Sequence, residues 1–428
     1  MADLTCKMAG IDFKNPIIVA SCDFGGDVDI CARTVKMGPG GLITKTIHKI
    51  PGIHTWPRPC HYSLRSFGKE LNDTWVCSQM FSQIPYEQWI DDQLPKMVKV
   101  CKEHDVRLIG NISAVGDDLS EWTSAAKDVV ACGVDMLELN TGGPHATFGA
   151  DAGAQNVGAV ISLNPELAAR IVKAVIDAVP GVPVMVKMTP QNPYTGALAL
   201  ALEKVGTHAI SANNAFYGTW VDHETAGFFG VPAFMGYLAG RAWQPLSLAK
   251  MIEVTATVKT DVSAIGGIFT AEDVARFIMA GASTAQLCSV LYSRGISVIP
   301  KVLKNLEAFM DRKGYDTIAS MKGLALKELT YLRDIPREKV MAPISPIKPL
   351  FATDQCPKGC GICERVCPYG AISNDDAGKP SADDKCIGCG WCLGNCPHDA
   401  VTMIETATGQ PVWDGTGVMR NWVADRGA

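Results

Sequence analysis

The sequence of 428 residues has no apolar run approaching the roughly 20 residues that a membrane-crossing helix needs, which excludes a helical membrane protein. It has no block of basic residues and a formal net charge of −5, which argues against nucleic acid as the main partner. Its beginning, Met-Ala-Asp-Leu-Thr-Cys, carries neither a basic flank nor an apolar core. A secretory signal is therefore not expected, and a cytoplasmic location is. Charge of both signs is sparse, at 19% against 47% hydrophobic residues, a balance too apolar for disorder. A single core seldom grows past roughly 250–300 residues, so one large and one small domain are expected.

Cysteine, by contrast, is abundant: there are 16. In a secreted chain these would suggest disulfides, whereas without a leader they point to metal ligands, buried thiols or catalysis. Cys6, Cys22, Cys31, Cys60, Cys77, Cys101, Cys132 and Cys288 are scattered over most of the length. The others crowd between Cys356 and Cys396. Cys386, Cys389, Cys392 and Cys396 form an unbroken C-x2-C-x2-C-x3-C-P run, the bacterial ferredoxin ligand pattern. Cys356, Cys360, Cys363 and Cys367 repeat it with one extra residue in the first gap. In folds with two such runs the fourth cysteine of each ligates the other cluster. The expected sets are therefore Cys356, Cys360, Cys363 with Cys396, and Cys386, Cys389, Cys392 with Cys367. Paired zinc sites are the competing reading, but zinc ribbons separate two C-x2-C knuckles instead of stringing four cysteines so tightly.

Upstream, short β-rich segments alternate with amphipathic stretches. Candidate strands are 17–20, 41–45, 107–112, 136–140, 184–188, 209–212, 263–266 and 285–288. Candidate helices include 165–179, 195–205, 245–258 and 271–280. This α/β pattern predicts a (β/α)8 TIM barrel over residues 1–310. A helical and Pro-rich linker is expected over 311–350, and a small α+β two-cluster ferredoxin domain with a tail over 351–428. A doubly wound sheet is the alternative architecture, but no G-x-G-x-x-G follows the first strand.

Barrel chemistry sits where the strands end. Those ends read Ala20-Ser21, Lys45, Asn111, Asn140, Lys187, Asn213-Asn214, Gly266-Gly267 and Cys288-Ser289, a strongly polar ring. The last two follow strands seven and eight, where barrels commonly hold phosphate on backbone N–H groups. Lys45 and Lys187 place positive charge against an anionic reduced cofactor. FMN suits both ends of this ring, and a flavin exchanges two electrons with an organic substrate and one at a time with a cluster. An iron–sulfur flavoenzyme is the reading from the residues alone.

The strings Asn15-Pro-Ile-Ile-Val-Ala-Ser21, Thr44-Lys-Thr46, Leu137-Glu-Leu-Asn140, Pro144-His145, Val186-Lys-Met-Thr-Pro190, Ile265-Gly-Gly-Ile268 and Gln286-Leu-Cys-Ser289 resemble the class of dihydroorotate dehydrogenases. Within it the chain is most similar to the FMN-plus-ferredoxin portion of the dihydropyrimidine dehydrogenases, over nearly its whole length. The resemblance implies FMN held by Ala20, Ser21, Lys45, Asn140, Lys187, Asn213, Gly240, Gly266, Gly267, Cys288 and Ser289. It also implies two [4Fe-4S] clusters passing electrons to it, and a homodimer or heteromeric complex.

Departures from the family pattern bear on the substrate. The family's fourth strand runs on as Asn-Leu-Ser-Cys-Pro-His, whose Cys protonates the substrate carbon. Here the string is Asn140-Thr-Gly-Gly-Pro-His145, so Gly143 stands in the acid's place. An Asn and a Glu that hold the pyrimidine align with Cys77 and Gln79, and the family's Asn-Thr after strand six becomes Asn214-Ala215. A pocket specific for uracil depends on pairing each buried polar group. The expectation is a cyclic, flatter and less polar substrate, an aromatic or an enone, bound by Cys77, Gln79, Asn140, Gly143 and Asn214. Candidates for the missing acid are His145, Cys77, Tyr217 and His223. No second nucleotide-binding domain is visible, so electrons are expected from ferredoxin or from a separate NAD(P)H-oxidising flavin subunit. Competing readings are uracil or thymine reduction with another proton donor, and an electron-transfer subunit with a lapsed barrel.

Overall fold

A computed structural model of the chain describes all residues except 50–58, 68, 70–71, 117, 144–157, 229–235, 332–344, 418 and 420–428. His145 lies outside the described residues. The chain divides into two compact units, Met1–Lys327 and Glu328–Ala428.

In the larger unit the strands are β1 (Ile17–Val19), β2 (Gly41–Ile43), β3 (Arg107–Ser113) and β4 (Met136–Asn140). They continue as β5 (Val184–Lys187), β6 (Ala209–Ala212), β7 (Asp261–Ile265) and β8 (Thr284–Leu287). Each pairs in parallel with its neighbours in chain order, and β8 returns to β1, closing the barrel. The candidate strands of the sequence coincide with these.

Side chains alternate across each strand, and here the alternation separates two cores. Ile17, Val19, Leu42, Leu108, Leu137, Leu139, Val184, Val186 and Ile210 pack outward against the helices. Ile18, Ile43, Ile109, Met136, Met185 and Ala209 point inward. The antiparallel pair Cys6–Met8 and Ile11–Phe13 closes this inner cluster with Met8 and Phe13. The inward positions then turn polar toward the strands' C-terminal ends. Ile109 is followed at two-residue steps by Asn111 and Ser113, Met136 by Glu138 and Asn140, Met185 by Lys187, and Ala209 by Ser211; all of these polar residues are buried. Apolar floor and polar mouth are thus written in one period-two pattern.

The helices end where capping chemistry predicts. Asn164 accepts from the Leu167 N–H ahead of a proline in the first turn, and the helix Pro165–Ala178 buries Leu167, Ala168, Ile171, Val172 and Val175 at helical spacing. A capping box of Thr270 and Asp273 starts the helix Ala271–Met279 behind β7. No helix among the described residues is long and apolar enough to cross a membrane.

One element was not expected. Segments from the loops after β2 and β6 form a four-stranded antiparallel sheet in the order Phe216–Gly218, Gly236–Gly240, Thr74–Cys77, His61–Ser63. In the smaller unit, β9 (Ile347–Phe351), β10 (Val401–Glu405) and β11 (Pro411–Trp413) form an antiparallel sheet. The end of the stretch expected to be linker is therefore a strand. It lies at the sheet's edge, where Pro349 costs no ladder bond that a central strand would need.

Candidate active site

A cleft of about 1070 Å³ lies at the C-terminal ends of the barrel strands, beneath the four-stranded sheet. Of the residues expected there, Ser21, Lys45, Asn140, Lys187, Asn213, Gly266, Gly267, Cys288, Ser289, Cys77, Gln79, Gly143 and Asn214 line it. Others are placed elsewhere. Ala20 is fully buried and donates its N–H to the Leu287 carbonyl within the barrel wall. Asn111 sits below the cleft, giving its amide to Glu138. Gly240 packs against the backbone of Asp73. His223 has an 86% exposed side chain and pairs with Glu224 at 3.2 Å, so it is not a cleft residue.

The polar mouth has a definite charge arrangement. Lys187 and Glu138 are both buried, with Nζ 3.9 Å from the carboxylate. Lys45 Nζ donates to Gln79 Oε1 at 2.6 Å and lies 3.6 Å from Asp23. Gln79 Nε2 in turn donates to both Asp23 oxygens at 2.5 Å. Each lysine is thus matched by a carboxylate. Gln79, expected as a substrate anchor, has a protein partner at each end of its amide, Lys45 and Asp23.

Several buried atoms here have no hydrogen-bond partner: Glu138 Oε1, both side-chain atoms of Asn213, and Gln286 Oε1. Gln286 spends its amide N–H groups on Ser211 and Ser263, each at 2.9 Å, so its position is fixed. Asn140 is held likewise, donating to Thr46 and accepting from Asn214 at 3.3 Å. Gly266 and Gly267 follow β7 with φ of +126° and +69°. A Cβ at Gly266 would lie 2.4 Å from Ser247 Oγ, and one at Gly267 would lie 2.6 Å from the Gln244 side chain. Only glycine keeps this close turn, and it bares backbone toward the cleft.

The roofing sheet carries proton-bearing side chains in one cross-strand row. Cys77 stands opposite Tyr237 on one side and His61 on the other, and all three line the cleft. Tyr217 is next in the row, opposite Tyr237, but is not part of the lining. The Tyr237 hydroxyl donates to the Gln79 carbonyl at 2.8 Å. Burial pushes the Cys77 thiol up to about 12 and lowers His61. Thiol and neutral imidazole are the forms present near pH 7. At the opposite rim the hydrogen bond between Cys22 and Cys288, together with burial, raises Cys22; the same bond, aided by Lys187 and Lys45, lowers Cys288. His61, Trp75, Tyr237 and Trp243 escaped the sequence reading. Their signal was the alternation of Trp75 with Cys77 and Tyr237 with Ala239 in short segments.

In the smaller unit the cysteines gather in two cavities of about 300 and 320 Å³. Cys367, Cys386, Cys389 and Cys392 line one, and Cys356, Cys360, Cys363 and Cys396 the other. The fourth cysteine of each run thus stands with the other run's first three. Among the described residues no three such side chains converge closely enough to hold a single metal ion.

Comparison with known proteins agrees with this geometry. Residues 3–310 match the family described as dihydroorotate dehydrogenase, and residues 355–401 match a 4Fe-4S dicluster domain. The NAD-dependent dihydropyrimidine dehydrogenase subunit PreA of Escherichia coli is 27% identical over 377 residues, 86% of each chain. The catalytic subunit of dihydroorotate dehydrogenase B (NAD(+)) from Methanocaldococcus jannaschii is 30% identical over 75% of this chain and 98% of its own. The corresponding subunit from Methanosarcina mazei is 29% identical over 75% of this chain and 95% of its own. The chain belongs to the dihydroorotate dehydrogenase family, as an iron–sulfur flavin oxidoreductase acting on CH–CH groups.

Proposed function

We propose that the protein uses FMN and two [4Fe-4S] clusters to reduce, reversibly, an activated C=C bond in a cyclic substrate less polar than a pyrimidine. The cleft suits the flavin. Asn213 and Gln286 present unpaired, buried amide atoms, each costing about 1–3 kcal/mol when left without a partner. The hydrogen-bonding edge of an isoalloxazine ring supplies such partners. Gly266-Gly267 and Ser289 offer the phosphate a backbone cradle, and Ser289 opens the helix Ser289–Arg294. Bound there, the flavin supplies hydride transfer, with electrons delivered singly through the clusters.

This chain's own residues then bind substrate and manage its proton. Gly143 lines the cleft and has no proton to give. Cys77 keeps its proton through the neutral range and stands in the row with Tyr237 and His61, so it is the acid that replaces the lost one. Trp75, Met80, Phe81, Ala215 and Trp243 give the cleft apolar and aromatic walls. Gln79, which aligns with a pyrimidine anchor, is turned to Lys45 and Asp23. That commitment of Gln79 is the observation that carries the substrate reading.

The second reading, uracil or thymine reduction, draws on the printed name of the Escherichia coli relative. The names of these relatives as subunits also support an electron-donating partner, either ferredoxin or a separate NAD(P)H-oxidising flavin subunit. The test is turnover of cluster-loaded protein supplied with a strong artificial reductant. A cyclic enone is expected to be consumed and uracil is not. Cys77→Ala should lose about 10²–10⁴ of that rate, and Gly143→Cys should gain activity on uracil. Turnover of uracil by the unaltered protein would favour the second reading.

A further inference from the structure

Asp23 belongs to no sequence motif of the site and does not line the cleft, yet it governs two residues that do. It sits in the short 3-10 turn Asp23–Gly25 that follows β1, a position fixed by its N–H donating to the Tyr292 hydroxyl at 3.1 Å. From there both its carboxylate oxygens accept from Gln79 Nε2, which leaves Gln79 Oε1 aimed at Lys45 Nζ. Were the Gln79 amide flipped, its NH2 would face the ammonium, two donors in conflict. The carboxylate is also 3.6 Å from Lys45 itself. Lys45 and Gln79 are buried, at 7% and 3% exposure, while the Asp23 side chain is 36% exposed, so solvent screens the interactions among the three only in part.

We infer that Asp23 is a positioning residue that orients Gln79 and offsets the charge of Lys45, and so sets the reduction potential of the flavin held in this cleft. The inference rests on the flavin reading of the site. Reduction adds negative charge to a flavin, and an unopposed ammonium favours that charge. Asp23 opposes it and keeps the potential lower than the two lysines alone would set it. With Lys187 balanced by Glu138, both lysines that line the cleft are then paired with a carboxylate behind it.

The experiment is spectroelectrochemical titration of the bound flavin in the full-length, cluster-loaded protein. Asp23→Asn removes one negative charge and is expected to shift the flavin couple positive. The expected size is about tenfold or more in the oxidised-to-reduced ratio at fixed potential, about 30 mV for a two-electron couple. Gln79→Glu adds a carboxylate beside Lys45 and should move the couple the other way. Asp23→Glu should restore most of the unaltered value, and Asp29→Asn, an exposed acid on the next helix, should leave it unmoved. Opposite shifts for Asp23→Asn and Gln79→Glu support the assignment. A couple that stays put in both, with flavin retained, overturns it. A shift for Asp29→Asn as large as that for Asp23→Asn also overturns it, since any nearby charge would then suffice. Absence of flavin from the unaltered protein would instead defeat the functional reading beneath it.

Discussion

Cys77 shows what burial does to a single side chain. At 4% exposure its thiol cannot shed a proton cheaply, and desolvation lifts it from 9.0 to about 12. A group raised in the folded state stabilises the fold fully below its unfolded value and loses that contribution as pH climbs through the folded one. Stability from Cys77 is therefore complete below about pH 9 and fades toward pH 12. The same shift makes the thiol inert where ordinary cysteines react. Iodoacetamide at pH 8, followed by peptide mass spectrometry, should leave Cys77 unmodified in the folded protein while exposed Cys389, in iron-free samples, is alkylated. Ready labelling of Cys77 at pH 8 would remove it as the protonated acid. The sequence could name Cys77 because it aligned with a substrate-side position. It could not reveal Asp23 or Tyr237, which matter only through partners far along the chain: Asp23 meets Gln79, and Tyr237 bonds its carbonyl.

At the scale of elements, the barrel was legible and its roof was not. The barrel strands are apolar runs bounded by turns, and alternating inner and outer positions repeat around the ring, so each strand supports the reading of the next. The roof strands are short, Thr74–Cys77 and Gly236–Gly240 among them, and their pairing joins loops more than 150 residues apart. No local pattern encodes that union, because the apolar surface these strands bury belongs to one another and to the ligand. Gly240, expected to touch the flavin, makes the union possible. It has φ of +105°, and a Cβ there would lie 2.0 Å from the Asp73 carbonyl oxygen, which also accepts the Arg241 N–H. Gly240→Ala should therefore cost roughly 2–4 kcal/mol, more than backbone conformation alone explains. Gly181→Ala, with φ of +84° and open space around it, should cost about 1–2 kcal/mol. Chemical denaturation compares the two, and equal losses would mean that the roof tolerates separation of its strands at Asp73.

At the scale of the whole molecule, the two units earn their stability differently. The barrel unit has an extensive outer core and a separate inner one, both built from aliphatic and aromatic side chains. The unit Glu328–Ala428 has a small core in which Ile347, Ile372, Leu393, Val401, Met403 and Val412 pack with Cys363, Cys367, Cys392 and Cys396. Its proposed cluster ligands are thus part of its packing, and where a site forms only in the folded chain, free energy of metal binding adds to that of folding. Oxygen and a chelator should strip about eight iron atoms per chain if both clusters are present. Of the proposed cysteine ligands, Cys363 and Cys392 lie on four-residue helices, Ile362–Arg365 and Trp391–Gly394, and the other six lie outside helices and strands. Calorimetry of the loaded protein should then show a transition for this unit that disappears on iron removal, while the barrel transition and the flavin spectrum persist. Loss of both transitions together would make the barrel's stability depend on the clusters, contrary to its independent cores. Persistence of both would mean that the small unit folds without metal and that the cysteines serve packing alone.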